Sequence, residues 1–319
     1  MRMPIRAALL LSTVLLYGGT PAQASAPALQ ATSAATPAAK TIITVKTISP
    51  EVREISYANP PLNFIVPETL VALNQAVLDL SKDDRVKVVL FTSAVDGFFY
   101  NHFDMGQFPG FIRQVSATGK PLWVELISNI EKAPFLTVAS IRGRAQGGGD
   151  ELMLAFDLRY ASKEKAIFNQ PEVGIGLFPG GGGPDHLVRL AGRDRALEAF
   201  LSADDYDAST AERFGWVTRT LPDAELDEFV AKQAMRLATF DKTALIETKK
   251  HINAIALPTE AERLEAYHQF TKSVTWPGLQ QRMGVFGKVI QDAGPMNVET
   301  RMGYYVGEGN RQIQESGRK

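Results

Sequence analysis

At 319 residues, with 45% hydrophobic and 22% charged side chains, the chain can hold one large domain or two smaller ones around a full apolar core. Its 34 basic and 35 acidic side chains leave a net charge of -1, which gives no electrostatic case for nucleic acid or an anionic membrane as the main partner. Cysteine is absent, which excludes disulfides, thiolate nucleophiles, cysteine metal sites and a lipidated cysteine, and leaves His102, His186, His251 and His268 as the histidines.

Arg2 and Arg6, the uncharged apolar run from Ala7 to Tyr17 and the small-residue pattern Ala22-Gln23-Ala24 read as an export signal over residues 1–24, cleaved after Ala24. The run is too short to serve as a stable bilayer anchor. Its removal takes two arginines and no acid, leaving a charge of -3. Residues 25–40 are a low-complexity linker, containing only Ala, Ser, Thr, Pro, Gln and Leu up to Ala39, that has little to pack with. The protein is therefore expected in the periplasm or secreted, or in the cytoplasm if the signal is not used.

A folded core is expected over 41–240. Residues 41–48 and 52–57 alternate as strands, and Asn59-Pro60-Pro61-Leu62-Asn63 is a loop. Residues 67–82 have the spacing of an amphipathic helix, and 86–92 and 135–141 read as buried strands. Between those strands lie an aromatic turn over 98–105 and a helix near 119–132. After Gly149 a short helix carries Glu151, and Asp157-Leu158-Arg159-Tyr160-Ala161 is a strand. Helices are expected at 184–201, 208–214 and 223–238, with a strand over 216–220 between the last two. The region 241–293 reads as all helical and 294–319 as a loose, flexible tail. Strands interleaved with helices, followed by a helical unit, define an α/β class.

Two glycine-rich turns carry the chemistry. Gly143-Arg144-Ala145-Gln146-Gly147-Gly148-Gly149-Asp150-Glu151 puts Gly148 and Glu151 on one face of a helix start, where backbone N–H groups and the helix dipole favour an oxyanion. Glu172, in Phe168-Asn169-Gln170-Pro171-Glu172, follows 21 residues later and precedes Pro179-Gly180-Gly181-Gly182-Gly183. Two carboxylates beside such turns suit proton transfer at a carbonyl whose charge must be held. Taken singly, Glu151 reads more readily as a helix-start acid favoured by the dipole and Glu172 as a solvated loop acid. The histidine spacing holds no metal cluster. Gly174-Ile175-Gly176 lacks the context of a dinucleotide fingerprint, and neither a Gly-x-Ser-x-Gly elbow nor a phosphate loop occurs.

The order of Gly143-x-Ala145-x-Gly147-Gly148-Gly149-x-Glu151-Leu152, the strand after Asp157, Phe168-x-Gln170-Pro171-Glu172 and Gly176-x-x-Pro179-Gly180-Gly181-Gly182-Gly183 resembles the enoyl-CoA hydratase/isomerase (crotonase) superfamily. Asn59 to Asn63, Phe99-Tyr100-Asn101-His102-Phe103-Asp104 and Phe286-x-Lys288 extend the resemblance over roughly residues 41–290. It implies a crotonase-like spiral of ββα units with a helical C-terminal oligomerisation region, assembled as a homotrimer or hexamer. It also implies an acyl-CoA thioester as substrate and no separate cofactor, with a place in fatty acid metabolism. By position, the two oxyanion donors are the backbone N–H groups of Asn101 and Gly148, and the acid/base pair is Glu151 and Glu172. Pro61, Leu62, His102 and Lys288 become substrate contacts. Retention of both glutamates favours hydration or dehydration over isomerisation.

The loop departs from the family pattern where Asn101-His102-Phe103-Asp104 replaces small residues, so a glycine-like backbone angle at His102 would be strained. His102 reads as an added polar group at the site or as a solvated loop residue, His186 as a surface residue at a helix start, and Lys288 as a phosphate contact or a solvated lysine. The export signal separates the chain from cytoplasmic thioesters. It keeps open an exported, coenzyme-A-independent lyase or hydrolase of a carbonyl compound, and a non-catalytic exported binding protein.

Overall fold

A computed structural model describes residues 42–318; the expected signal over 1–24 and the linker over 25–40 lie outside the described residues. The chain runs β1 (Ile42–Thr47), β2 (Val52–Ala58), α1 (Pro67–Leu80), β3 (Val88–Ser93), α2 (Phe108–Ile112), α3 (Leu122–Glu131), β4 (Leu136–Ile141), β5 (Arg144–Gln146), α4 (Gly148–Leu154), β6 (Leu158–Ser162), β7 (Ile167–Asn169) and α5 (Glu172–Ile175). It continues through α6 (Gly183–Ala191), α7 (Arg193–Ser202), β8 (Tyr206–Asp207), α8 (Ala208–Phe214), β9 (Arg219–Leu221) and α9 (Asp223–Ala238). Five helices follow: α10 (Lys242–Ala256), α11 (Glu260–Ser273), α12 (Pro277–Ala293), α13 (Pro295–Thr300) and α14 (Met302–Ser316).

A six-stranded sheet in the order β1-β2-β3-β4-β6-β9 is parallel except for β1, and a small second sheet has the order β5-β7-β8. The central strands are buried on both faces, in keeping with near-continuous apolar runs such as Val88-Val89-Leu90-Phe91. Each of β4–β5–α4 and β6–β7–α5 places one strand in the large sheet, the next in the small one, and then a helix. This is the repeating ββα unit of the crotonase-like α/β fold, with a helical C-terminal region after it.

The helix expected over 184–201 is two helices, because Gly192 adopts φ 82 and serves as the stop of α6 and the start of α7. The flexible tail expected over 294–319 is corrected more substantially. Residues 295–316 form α13 and α14, and Val298, Met302 and Val306 are buried with Ala203 and Val289 in a satellite core. No helix among the described residues is long and apolar enough to cross a membrane.

Trp216 shows how core and site are joined. It is fully buried, tilts against Phe168 and Tyr206, and its indole N–H donates to Asp150 Oδ1 at 3.0 Å. Trp216→Phe keeps most of the apolar area but strips a buried carboxyl of a donor. We expect a loss of about 2 kcal/mol in unfolding free energy, measurable by urea denaturation.

Candidate active site

Glu151 and Glu172 are far apart in sequence, and the small sheet brings them together. β5 and β7 pair in parallel with Gln146 opposite Asn169, so the helices that follow them, α4 and α5, begin side by side. Gly147 makes the join: its N–H donates to Asn169 O at 2.9 Å, and its φ of 49 turns the chain into α4. A Cβ at this position would lie 2.7 Å from Glu172 Oε1 and 3.0 Å from the Cβ of His102, so only glycine fits. Behind the acids, Asp150 accepts from Gln170 Nε2 at 2.6 Å and ties the Gln170-Pro171-Glu172 turn to α4.

Glu151 is only 3% exposed, and its Oε1 accepts the N–H groups of Gly181 (2.8 Å) and Gly183 (3.0 Å). Burial pushes its carboxyl up to about 7, and those two hydrogen bonds oppose the shift. The glycine loop is anchored in turn. His186 Nδ1 lies 2.6 Å from Gly182 O, and Nε2 lies 2.6 Å from Glu131 Oε1, while the other oxygen of Glu131 meets Arg263 at 2.9 Å. His186 is thus a buried anchor linking α3, α6 and α11, not the surface residue expected from the sequence.

Glu172 is 8% exposed, and its Oε2 is buried with no hydrogen-bond partner among the described residues. Burial first, and then the negative charge of Glu151, push it up to about 8, with His102 acting in the opposite direction. A buried carboxyl oxygen without a partner is costly in a folded protein and is characteristic of groups kept ready for reaction.

The loop over 101–104 corrects one assignment. Asn101 N–H donates to Asn63 O at 3.1 Å, so it is not free to hold an oxyanion. The next peptide is clamped from one side, because His102 O accepts Ile65 N–H at 3.1 Å and Asp104 N–H donates to Ile65 O at 2.8 Å. In a trans peptide the N–H points opposite to the C=O, so Phe103 N–H faces away from Ile65 and finds no acceptor among the described residues. Gly148 N–H, in the first turn of α4, is likewise without an intrahelical partner. The ring of Phe103 sits 3.1 Å from where a Cβ of Gly148 would stand, and both residues line the same cavity. His102 carries no positive φ; in this region the left-handed residue is Asn63, at φ 54, a conformation asparagine tolerates.

Glu151, Glu172, His102, Phe103 and Gly148 line one cavity of about 360 Å³. Its walls are otherwise mostly apolar, built from Trp123, Leu177 and Phe270 on the core side and Phe286, Ile290 and Met302 from the C-terminal helices. Of the expected substrate contacts, His102 lines the cavity. Pro61 is exposed and Leu62 buried, and neither reaches the cavity wall, where Phe64 stands instead. Lys288 is exposed on α12, while its neighbours Gly287 and Ile290 face the cavity. Phe103 and Glu299 are cavity residues that the sequence reading did not select.

The family model described as enoyl-CoA hydratase/isomerase matches residues 47–285. The crotonyl-CoA hydratase of Syntrophomonas wolfei subsp. wolfei is 31% identical over 215 residues, which cover 66% of this chain and 80% of that protein. A crystal structure from Streptomyces avermitilis, described as an enoyl-CoA hydratase, superposes with a TM-score of 0.78 at 41% identity, covering 83% of this chain and 96% of that one. The enoyl-CoA hydratase structure from Mycobacterium avium subsp. paratuberculosis gives 0.67 at 26% identity, covering 75% and 96%. The chain belongs to the enoyl-CoA hydratase/isomerase family of the crotonase superfamily, as an enoyl-CoA hydratase-like enzyme.

Proposed function

We propose that the protein adds water reversibly across the α,β double bond of an enoyl-CoA thioester. The observation that carries this reading is the pair of buried carboxyls, both raised, facing one apolar cavity beside two unpartnered backbone N–H groups. Glu151, as carboxylate, accepts a proton from the water whose oxygen bonds to the β-carbon. The double-bond electrons move toward the carbonyl, and the thioester oxygen takes up the negative charge between Phe103 N–H and Gly148 N–H. Glu172, protonated, returns a proton to the α-carbon as the carbonyl re-forms. The raised pKa values serve this division, because near neutral pH the pair can hold one proton between two sites.

The purified protein should therefore hydrate crotonyl-CoA or a longer enoyl-CoA with a bell-shaped dependence of rate on pH. Below about 7 Glu151 becomes protonated and the base is lost; above about 8 Glu172 ionises and the acid is lost. Steady-state hydration assays over a panel of chain lengths and pH values test both points. A wild-type protein inactive on every chain length would overturn the reading.

A further inference from the structure

Glu299 reaches the site from α13, far outside the motifs that carry the acid/base pair. It is 5% exposed, and its carboxylate is fully engaged at one place. Oε2 accepts from Asn101 Nδ2 at 3.0 Å and Gln146 Nε2 at 3.2 Å, and Oε1 lies 3.2 Å from His102 Nε2. Asn101 and His102 belong to the loop that presents Phe103 N–H, and Gln146 is the last residue of β5 before Gly147 and Gly148. A single carboxylate thus fastens the two backbone segments that carry Phe103 and Gly148, both of which line the cavity. Gln146 Nε2 also reaches Asn101 Oδ1 at 2.8 Å, which closes the network.

The partners of His102 define its charge. Nδ1 lies 2.8 Å from Phe103 O and Nε2 faces the Glu299 carboxylate. Both partners are pure acceptors, so both ring nitrogens must donate, and only the imidazolium can do so. Burial alone would favour the neutral ring, but the charge and hydrogen bond of Glu299 overcome it and raise His102 to about 9, while Glu299 itself is lowered. The other ionisable groups around the ring are Glu172 on α5 and, behind Gln146, Arg144 paired with Asp205; Asp104 turns away to cap Gly106 N–H.

We propose that Glu299 is a positioning residue: it holds His102 as an imidazolium beside Glu172 and locks the two oxyanion loops together, so that α13 is part of the reaction site. The inference rests on the hydratase reading for its kinetic consequence, but not for the state of the ring.

The test uses the full chain and its Glu299→Gln and Glu299→Asp variants, with crotonyl-CoA as probe and 15N-labelled histidine for NMR. The His102 signals are assigned by their loss in His102→Gln. At pH 7.5 the wild-type ring should be doubly protonated, and Glu299→Gln should leave it neutral. In that variant kcat should fall roughly 10- to 100-fold, with KM changed less than about 3-fold, as expected for misplaced reacting groups; Glu299→Asp should recover part of the loss. A neutral wild-type ring, or unchanged kcat and ring state in Glu299→Gln, would overturn the proposal. If Glu299→Gln melts well below the wild type, Asn101→Ala replaces it, and unchanged kcat in that variant overturns the locking role. Wild-type inactivity combined with an imidazolium lost in Glu299→Gln would refute the hydratase reading while leaving the Glu299–His102 pairing intact.

Discussion

Glu172→Gln should lower kcat for enoyl-CoA hydration by about 10³-fold, within the range for removal of a general acid. The amide matches the carboxyl in shape but has no proton to deliver to the α-carbon. KM should change little, because glutamine keeps the shape of this part of the cavity wall and the rest of it is untouched. The same substitution should not weaken the fold. A carboxyl whose folded pKa lies above its unfolded value contributes stability below the unfolded pKa and loses it as pH rises from there through the folded pKa. Glutamine does not ionise, so the melting temperature of the variant should exceed that of the wild type by a margin that grows from pH 6 to about 8 and is constant above it. Steady-state kinetics and thermal melts from pH 6 to 9 check the two halves. Retention of more than about a tenth of the wild-type kcat would remove Glu172 from the acid's role.

Glu151→Gln should be nearly as damaging to hydration, about 10²- to 10³-fold in kcat, but for a different reason. The glutamine loses the negative charge that accepts the proton of the attacking water. Its carbonyl oxygen can still accept the N–H groups of Gly181 and Gly183, so the loop should stay in place. Glu172 remains free to exchange a proton at the α-carbon of a saturated acyl-CoA. Solvent deuterium should therefore enter that position at a rate close to wild type while water addition is lost, and mass spectrometry of the recovered thioester reads both. Equal loss of exchange and hydration would show that the two acids act as one unit, and the assigned division of labour would fail.

Much of this was legible in the sequence where local signals and distant contacts agree. Glycines before Glu151 and the Gln170-Pro171-Glu172 turn pointed to two carboxyls at one site, and the fold does bring them to one cavity; the alternation of strand and helix signals announced the α/β class. Which backbone N–H of the 101–104 loop stays without an acceptor was not legible. Which N–H in Asn101-His102-Phe103 stays free depends on Asn63 and Ile65, whose carbonyl and amide groups occupy the neighbouring positions. Register across a non-local pairing leaves no trace in the loop's own residues. The C-terminal segment was misread for another reason. Gly294-Pro295 is ordinary loop punctuation, and α14 contains three glycines within Met302–Asn310, a poor helical composition. Tertiary packing overrides that weakness: a Cβ at Gly309 would come within 2.8 Å of the Phe286 ring, so glycine is what lets α14 lie close on α12. Glu299 was hidden with the helix that bears it.

The buried Glu131–His186–Arg263 cluster places the tuning of the site at a distance from the site. The grip of Gly181 and Gly183 on Glu151 depends on a loop hung from α3 through Glu131 and from α11 through Arg263. The proton affinity of Glu151 thus depends on where two helices stand, and Phe270 of α11 is itself a wall of the cavity. In the proposed reaction, an acyl group pressed against that wall would bear on the same scaffold that sets the proton affinity of Glu151, so substrate fit and base strength would be mechanically one property.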